Sequence, residues 1–178
     1  LADLVDPTAG GSPLLIPDTD GDARLNYLDR DSDNDGITDT REAGGTDADG
    51  DGILDGAFVD VDNDGLVNSV DGTPLLLPDT DGDSKPNYLD RDSDNDGFTD
   101  IREAGGSDAD IDGAIDAFAD SDNDGLANTV DPGTGTSLPV PNSDSDTLAD
   151  YLDSDSDNDG IVDLIEAGGI DNDNNGRV

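Results

Sequence analysis

The stretch Asp31-Ser-Asp33-Asn-Asp35-Gly36-Ile37-Thr-Asp39-Thr-Arg-Glu42 sets the pattern of the chain. Numbered from 1 to 12, it has Asp at positions 1, 3, 5 and 9, Gly at position 6 and Glu at position 12. Side-chain oxygens at positions 1, 3 and 5 can converge on one cation, Gly at 6 permits a sharp turn, and the carbonyl at 7 adds an oxygen. Position 9 binds directly or through water, and the acid at 12 closes the shell. The stretch therefore predicts a calcium-binding loop.

The same stretch returns twice, and the rest of the chain repeats with it. Its Asp-Ser-Asp-Asn-Asp-Gly core begins at Asp31, Asp92 and Asp155, which are 61 and 63 residues apart. Self-similarity at a fixed period is the signature of a repeat architecture. We therefore divide the chain into the end of a preceding repeat with its connector, two full repeats and a truncated third repeat: residues 1–17, 18–77, 78–140 and 141–178.

Each full repeat contains four candidate loops, with ligands predicted at positions 1, 3, 5, 9 and 12 and, in the loops with Gly at position 6, at the carbonyl of position 7. In the second loop of each repeat the predicted ligands are Asp31, Asp33, Asp35, Ile37, Asp39, Glu42, Asp92, Asp94, Asp96, Phe98, Asp100, Glu103, Asp155, Asp157, Asp159, Ile161, Asp163 and Glu166. The only glutamates of the chain stand at position 12 of these loops, where the longer side chain can bind an ion through both oxygens.

The other loops depart slightly from this pattern. The first loop of each repeat has Ala, Ser or Thr at position 6, and its predicted ligands are Asp18, Asp20, Asp22, Asn26, Asp29, Asp79, Asp81, Asp83, Asn87, Asp90, Asn142, Asp144, Asp146, Asp150 and Asp153. The third loop has no acid at position 12, and its ligands are Asp47, Asp49, Asp51, Ile53, Asp55, Asp108, Asp110, Asp112, Ala114 and Asp116. The fourth loop offers Asp60, Asp62, Asp64, Leu66, Asn68, Asp71, Asp120, Asp122, Asp124, Leu126, Asn128 and Asp131. Incomplete loops at the two ends add Asp3, Asp6, Asp171, Asp173 and Asn175.

The composition limits the partners of the chain. It has 47 acidic and 7 basic residues, a net charge of −40, and no His, Cys, Met or Trp. Such acidity favours cations as partners and disfavours nucleic acid and anionic membranes. No apolar run approaches the ~18 residues of a membrane span. Composition alone is also compatible with a solvated, disordered acidic polymer, because the apolar residues are few and scattered.

Little regular secondary structure is expected between the loops. Pro- and Leu-rich connectors such as Leu14 to Ile16 and Leu75 to Leu77 are predicted to be extended, with their apolar side chains packed. Short turns are expected at Leu25 to Leu28. One helical turn is expected at Thr40 to Gly45, where Gly would end it.

The spacing of the loops points to one family. Loop starts in the first repeat lie 13, 16 and 13 residues apart, which leaves no room for the helices of EF-hands or dockerins. The abutting Asp-x-Asp-x-Asp-Gly-x-x-Asp loops, from Asp18 to Gly176, resemble the thrombospondin type 3 repeat in its cysteine-free form from bacterial surface proteins. The resemblance implies an elongated tandem array wrapped around a line of calcium ions, about one per loop. In such an array the ions take the place of a hydrophobic core.

These expectations favour a structural role: a calcium-stiffened extracellular stalk, spacer or fibre, as a section of a bacterial adhesin or surface filament. Extracellular calcium modules bind at ~10⁻⁴–10⁻³ M, so such a chain would be loose in the cytosol and rigid after export. The alternative is a calcium-dependent adhesion module that contacts a protein or glycan through Tyr27, Tyr88, Phe58 and Phe118 or through the ions. Self-association into fibres is a third possibility. An enzyme is disfavoured, because there is no His or Cys and the acids are assigned to calcium.

Overall fold

The computed structural model describes residues 12–178, so the predicted ligands Asp3 and Asp6 lie outside the described residues. Within this range the chain is mostly irregular, with six short helices and no strand. The 3₁₀ helices are Asn26–Leu28, Asn87–Leu89 and Asp150–Leu152, and the α-helices are Asp39–Glu42, Asp100–Glu103 and Asp163–Glu166. The expectation of little regular secondary structure is confirmed. The short turns expected near Leu25 to Leu28 and after position 9 of the second loop are present.

The α-helices are bounded by local signals. Thr38 precedes the first of them in an extended conformation, and its hydroxyl accepts a hydrogen bond from the N–H of Arg41. Gly44, just after the helix, has φ +74°, a left-handed conformation that glycine adopts without steric cost. Gly45 N–H then donates to the carbonyl of Thr40 at 2.8 Å. Helices of four residues are not stable by themselves, so the loops around them hold them in place.

All the complete loops in the described residues except the one that begins at Asp108 are closed by one backbone hydrogen bond. The N–H at position 9 donates to the carbonyl of the residue before position 1, from Asp39 to Arg30 at 2.9 Å and from Asp100 to Arg91 at 3.0 Å. Position 4 is left-handed in the second loops, with φ between +55° and +64° at Asn34, Asn95 and Asn158. Asn tolerates this conformation better than most residues, which explains its recurrence at that position.

Successive repeats contact each other through equivalent positions. Ile115 N–H of the second repeat donates to Asn34 O of the first at 2.8 Å, and Val178 N–H of the third donates to Asn95 O of the second at 2.8 Å. Gly36 lies beneath this contact: a Cβ there would lie 2.8 Å from Leu138 Cδ1. Glycine at position 6 therefore serves both the turn of the loop and the close approach of the next repeats.

A small apolar core lies where the repeats meet. Its buried members come from all three repeats and are Ile37, Ile101, Ala104, Ala127, Val130, Leu138 and Tyr151. The expectation that ions replace a hydrophobic core is therefore corrected, since apolar packing and carboxylate loops lie side by side. The thin and scattered apolar residues of the sequence become a cluster only because the repeats fold against one another.

Equivalent residues differ in burial along the array. Tyr27, Tyr88 and Tyr151 hold the same place in their repeats, yet Tyr27 is 67% exposed, Tyr88 is half-buried and Tyr151 is 4% exposed. At position 7 of the second loop the trend is reversed, because Ile37 is fully buried and Ile161 is 47% exposed. Equivalent residues are therefore buried where another repeat packs on them and exposed where none does.

The apolar connectors follow the same rule. Leu138, before the third repeat, is buried, whereas five side chains of the earlier connectors are exposed: Leu14, Leu15, Ile16, Leu76 and Leu77. The expectation that these earlier side chains are packed is wrong for the described chain. Of the side chains in Leu14 to Ile16 and Leu75 to Leu77, only Leu75 is partly buried. Leu138 packs on the first repeat near Gly36, and no described part of the chain covers the earlier connectors in the same way.

Candidate metal centre

The loops bring their carboxylates together as their spacing predicts. Oxygens of the acids at positions 1, 3 and 5 lie within 4.8 Å of one another in several loops: Asp18, Asp20 and Asp22; Asp31, Asp33 and Asp35; Asp47, Asp49 and Asp51; and Asp60, Asp62 and Asp64. Groups of carboxylate oxygens at this separation suit a hard cation such as Ca²⁺, which takes 6–8 oxygen ligands. The described residues therefore contain clusters that fit a divalent ion.

Backbone hydrogen bonds aim these carboxylates. In the second loop of the first repeat, Asp31 Oδ2 accepts from Gly36 N–H at 3.0 Å. Asp33 Oδ1 accepts from Asp35 N–H at 3.2 Å, and Asp35 Oδ1 accepts from Ile37 N–H at 2.7 Å. Each side chain thus uses one oxygen to hold the turn and keeps the other for a ligand.

The remaining oxygens are buried without partners. Among the described residues, Asp31 Oδ1, Asp33 Oδ2, Asp35 Oδ2 and both Glu42 carboxylate oxygens accept no hydrogen bond. The second repeat repeats this pattern at Asp92 Oδ1, Asp94 Oδ2, Asp96 Oδ2 and Glu103 Oε2. Buried polar atoms in folded proteins nearly always have partners. These orphaned carboxylate oxygens fall at positions 1, 3, 5 and 12, at which a calcium loop supplies ligands, and Asn34 Oδ1, Ser93 Oγ and Asp100 Oδ2 are orphaned as well.

The electrostatics of these loops also favour a positive charge among the carboxylates. Burial raises the pKa of Asp33 to about 8, although the Arg91 charge opposes the shift. Burial, together with the neighbouring Asp94 and Asp96, raises the pKa of Glu103 to about 10. Burial and the nearby Asp35 raise the pKa of Glu42 well above its ordinary value. Without a metal ion these groups would hold protons near neutral pH, and a divalent cation would take the protons' place.

Position 9 has a role that the sequence analysis missed. Its side-chain oxygen accepts the N–H of position 2, as from Ser32 to Asp39 at 2.8 Å and from Thr80 to Asn87 at 2.9 Å. In the first repeat the Ser32 hydroxyl also donates to the second Asp39 oxygen at 2.7 Å. Asn and Asp accept such a bond equally well through one oxygen. The interchange of Asn and Asp at position 9 was the sequence signal for this loop-closing role.

Position 12 of the first loop connects neighbouring loops. Asp29 Oδ1 accepts the N–H of Asp31 at 3.1 Å, and Asp153 Oδ1 accepts the N–H of Asp155 at 3.1 Å. The other Asp29 oxygen is buried and accepts no hydrogen bond from the described residues. The first and second loops of a repeat are therefore joined at position 12 of the first loop, the residue that would complete the coordination shell of an ion in that loop.

Burial distinguishes the sites that the sequence makes look alike. Asp31, Asp33, Asp35 and Glu42 are at most 2% exposed. Their counterparts Asp157, Asp159 and Glu166 in the third repeat are exposed. The incomplete loop at Asp171 has the same local geometry, since Gly176 N–H donates to Asp171 Oδ2 at 2.9 Å. The structure thus builds similar loops along the chain but encloses the second loops of the first and second repeats most fully.

Comparisons of the chain with protein-family models, with curated proteins and with solved structures give no match. Among the described residues, none of the helices has the length and apolar character needed to cross a membrane. The resemblance to thrombospondin type 3 repeats therefore depends on the loop residues alone.

Calcium affinity is expected to fall as the pH is lowered from 8 to 6. A carboxyl whose pKa is raised to about 8, such as Asp33 or Asp94, must lose a proton before it can bind the ion. Each displaced proton weakens binding about tenfold per pH unit below that pKa. Calorimetry in buffers of different ionisation enthalpy should show proton release at pH 7, and binding without proton release would contradict this electrostatic account.

The metal-free chain should respond to pH with the opposite sign. Because the folded-state pKa values of these acids lie above their ordinary values, their contribution to stability is full below about pH 4 and is lost as the pH rises through about 8. Circular dichroism in chelator should therefore show more ordered structure at pH 3 than at pH 8. The reverse order would contradict the raised pKa values.

Proposed function

We propose that this chain is a calcium-binding structural array: a section of an extracellular stalk, spacer or fibre that calcium ions stiffen. The observation that carries the proposal is the set of buried, unpartnered oxygens at positions 1, 3, 5 and 12 of two equivalent loops. Thrombospondin type 3 repeats, which the loops resemble, use this pattern to wrap the chain around ions. About one ion per loop is proposed, with ligands as the sequence pattern assigns them.

The contacts between repeats support a mechanical role. Quasi-one-dimensional arrays propagate by identical contacts between neighbouring units. Here the backbone bond from Ile115 to Asn34 is repeated from Val178 to Asn95. Ions would neutralise the loops that these bonds bring together, so that the array is rigid only when loaded. The low affinity typical of extracellular modules then suits a secreted or cell-surface location.

The test is a count of bound calcium. Equilibrium dialysis at 2 mM free calcium, followed by elemental analysis, should give several ions per chain, with the same concentration of magnesium as the control. Calcium should bind in preference to magnesium, because Mg²⁺ demands near-ideal octahedral geometry and dehydrates reluctantly. Fewer than two ions per chain would overturn the proposal.

A fibre formed by self-association is a second candidate, and the burial trend favours it. Inside the chain, Tyr151 and the Gly45 to Ala48 segment of the first repeat line one cavity, and Arg41 donates to Leu138 O at 3.2 Å. Leu14, Ile16 and Tyr27, which hold in the first repeat the places of Leu138, Val140 and Tyr151, are exposed. Ile161 and Glu166 are exposed as well. They are the third-repeat equivalents of Ile37 and Glu42, which are buried in the first repeat. A second copy can therefore add head to tail, and such a heterologous contact continues into a filament.

Analytical ultracentrifugation and electron microscopy in calcium test this candidate. The chain should assemble in a concentration-dependent manner, and Leu14→Asp, at the place of the buried Leu138, should block assembly. Phe58→Asp is the matched control, because Phe58 is exposed but lies outside the two surfaces. A chain that stays monomeric in calcium would exclude the fibre and leave the single-chain stalk. An adhesion module that contacts a protein or glycan through Tyr27 or Phe58 remains the alternative for these exposed aromatics.

A further inference from the structure

Three acidic side chains from two different repeats meet in the interior. Asp35 and Glu42 belong to the second loop of the first repeat, and Asp100 is position 9 of the second loop in the second repeat. Each offers an oxygen that lies within 4.8 Å of the others. Asp35 and Asp100 are 0% exposed and Glu42 is 2% exposed. The loop pattern does not predict this cluster, because it assigns Asp100 to its own loop.

Four of the six carboxylate oxygens of the cluster have no hydrogen-bond partner among the described residues. Asp35 Oδ1 accepts from Ile37 N–H and Asp100 Oδ1 accepts from Ser93 N–H at 2.8 Å. The remaining oxygens of both residues, and both oxygens of Glu42, accept no hydrogen bond. The described salt bridges join Arg30 to Asp124, Arg41 to Asp47 and Lys85 to Asp90, so none reaches the cluster. Three buried carboxylates without a cation are strongly unfavourable.

Asp100 differs from its counterparts in a way that frees it for this cluster. In the first repeat the hydroxyl of Ser32 donates to the second oxygen of Asp39, and in the third Ser156 donates to Asp163 at 2.6 Å. In the second repeat the equivalent hydroxyl, Ser93 Oγ, has no partner, and neither has Asp100 Oδ2. One oxygen of Asp100 thus closes its own loop while the other accepts no hydrogen bond, and the carboxylate lies within 4.8 Å of the oxygens of Asp35 and Glu42 in the first repeat.

We propose that Asp35, Glu42 and Asp100 hold a calcium ion in common, so that one ion joins the first and second repeats. This inference rests on the proposed calcium binding and adds a ligand that the loop pattern does not supply. An all-oxygen, all-carboxylate set suits Ca²⁺. The ion would make folding of the two repeats interdependent, since neither repeat provides the whole site. Calcium would then join the two repeats to each other as well as order each loop.

A double-mutant cycle tests the shared ion. The variants are Glu42→Gln, Asp100→Asn and the pair, and the readout is the calcium concentration at the midpoint of folding. Asn keeps the oxygen that accepts from Ser93 and stands naturally at position 9 of other loops, so the loop-closing bond survives. Residues that bind one ion are expected to be non-additive. The midpoint calcium concentration of the double variant should therefore be about tenfold lower than the product of the two single fold-increases predicts.

The control cycle combines Asp100→Asn with Glu166→Gln, at the equivalent position 12 of the third repeat, where the effects should multiply. Multiplicative effects of Glu42→Gln and Asp100→Asn, within about twofold, would overturn the shared site while calcium binding by the loops stands. A wild-type chain that binds no calcium would instead refute the proposed function. If Asp100→Asn folds at no calcium concentration, Asp100→Glu replaces it in the cycle with the same two outcomes.

Discussion

Chelation of calcium at pH 7.5 is expected to convert the folded chain into an expanded coil. A compact chain of 178 residues has a radius of gyration of ~16 Å, and an unfolded chain of this length ~45 Å. The cause is the set of second-loop acids, such as Asp33 and Asp94, each of which is buried among other acids of its own loop and forms no salt bridge among the described residues. The small apolar cluster around Ile101 cannot offset their repulsion.

Small-angle X-ray scattering measures this change directly. The chain should be titrated with calcium and then with chelator, with sodium chloride of equal ionic strength as the control for screening. Calcium should produce a defined particle well below the radius of the coil, and sodium chloride should not. A particle more elongated than a globule would support the stalk. A profile that remains coil-like in saturating calcium would favour the disordered acidic polymer, and a profile that remains folded in chelator would show that apolar packing suffices.

Glu42→Gln is expected to lower stability strongly in calcium but not in chelator. Gln keeps the shape of the side chain and removes the charge. In calcium the loop loses a buried ligand with two free oxygens, at a cost of about 3 kcal/mol or more. In chelator the folded chain must keep Glu42 protonated, because burial and the neighbouring Asp35 raise its pKa well above the ordinary value. Gln removes that requirement, so the chain should be no less stable. This reversal distinguishes a metal ligand from a merely structural side chain.

Glu166→Gln provides the matched control for this change. Glu166 occupies the same position 12 in an identical Asp-x-Asp-x-Asp-Gly frame, but it is exposed. Thermal denaturation in 2 mM calcium should show a fall of about 10 °C for Glu42→Gln, since 1 kcal/mol shifts the midpoint by about 2–4 °C in a chain of this size. The shift for Glu166→Gln should be much smaller. Equal shifts, or a circular-dichroism signal in chelator that shows Glu42→Gln to be less ordered than the wild-type chain, would contradict the assignment of Glu42 as a buried ligand.

The local geometry of the loops could be predicted from the sequence because it is built from contacts a few residues apart. The bond from Gly36 N–H to Asp31 Oδ2 spans five positions, and the short helix after Thr38 depends on its own flanking residues. Position 9 was predicted as a ligand, yet its loop-closing bond was overlooked. The occurrence of both Asn and Asp at position 9 is visible in the sequence, but the hydrogen bond in the structure is needed to explain it.

The sequence by itself determined the loops, their period and the oxygen chemistry of their ligands, since side-chain spacing and backbone turns are local properties. Only the tertiary structure decided which of the similar loops are enclosed. Glu42 and Glu166 close loops with the same Asp and Gly frame, which differ in having Thr38, Thr40 and Arg41 in one and Val162, Leu164 and Ile165 in the other. One glutamate is buried and the other exposed because other repeats cover only the first. The approach of Asp100 to Glu42 also follows from the packing of one repeat on another. Burial and long-range contact depend on the neighbours that folding brings, and no pattern within a single repeat contains them.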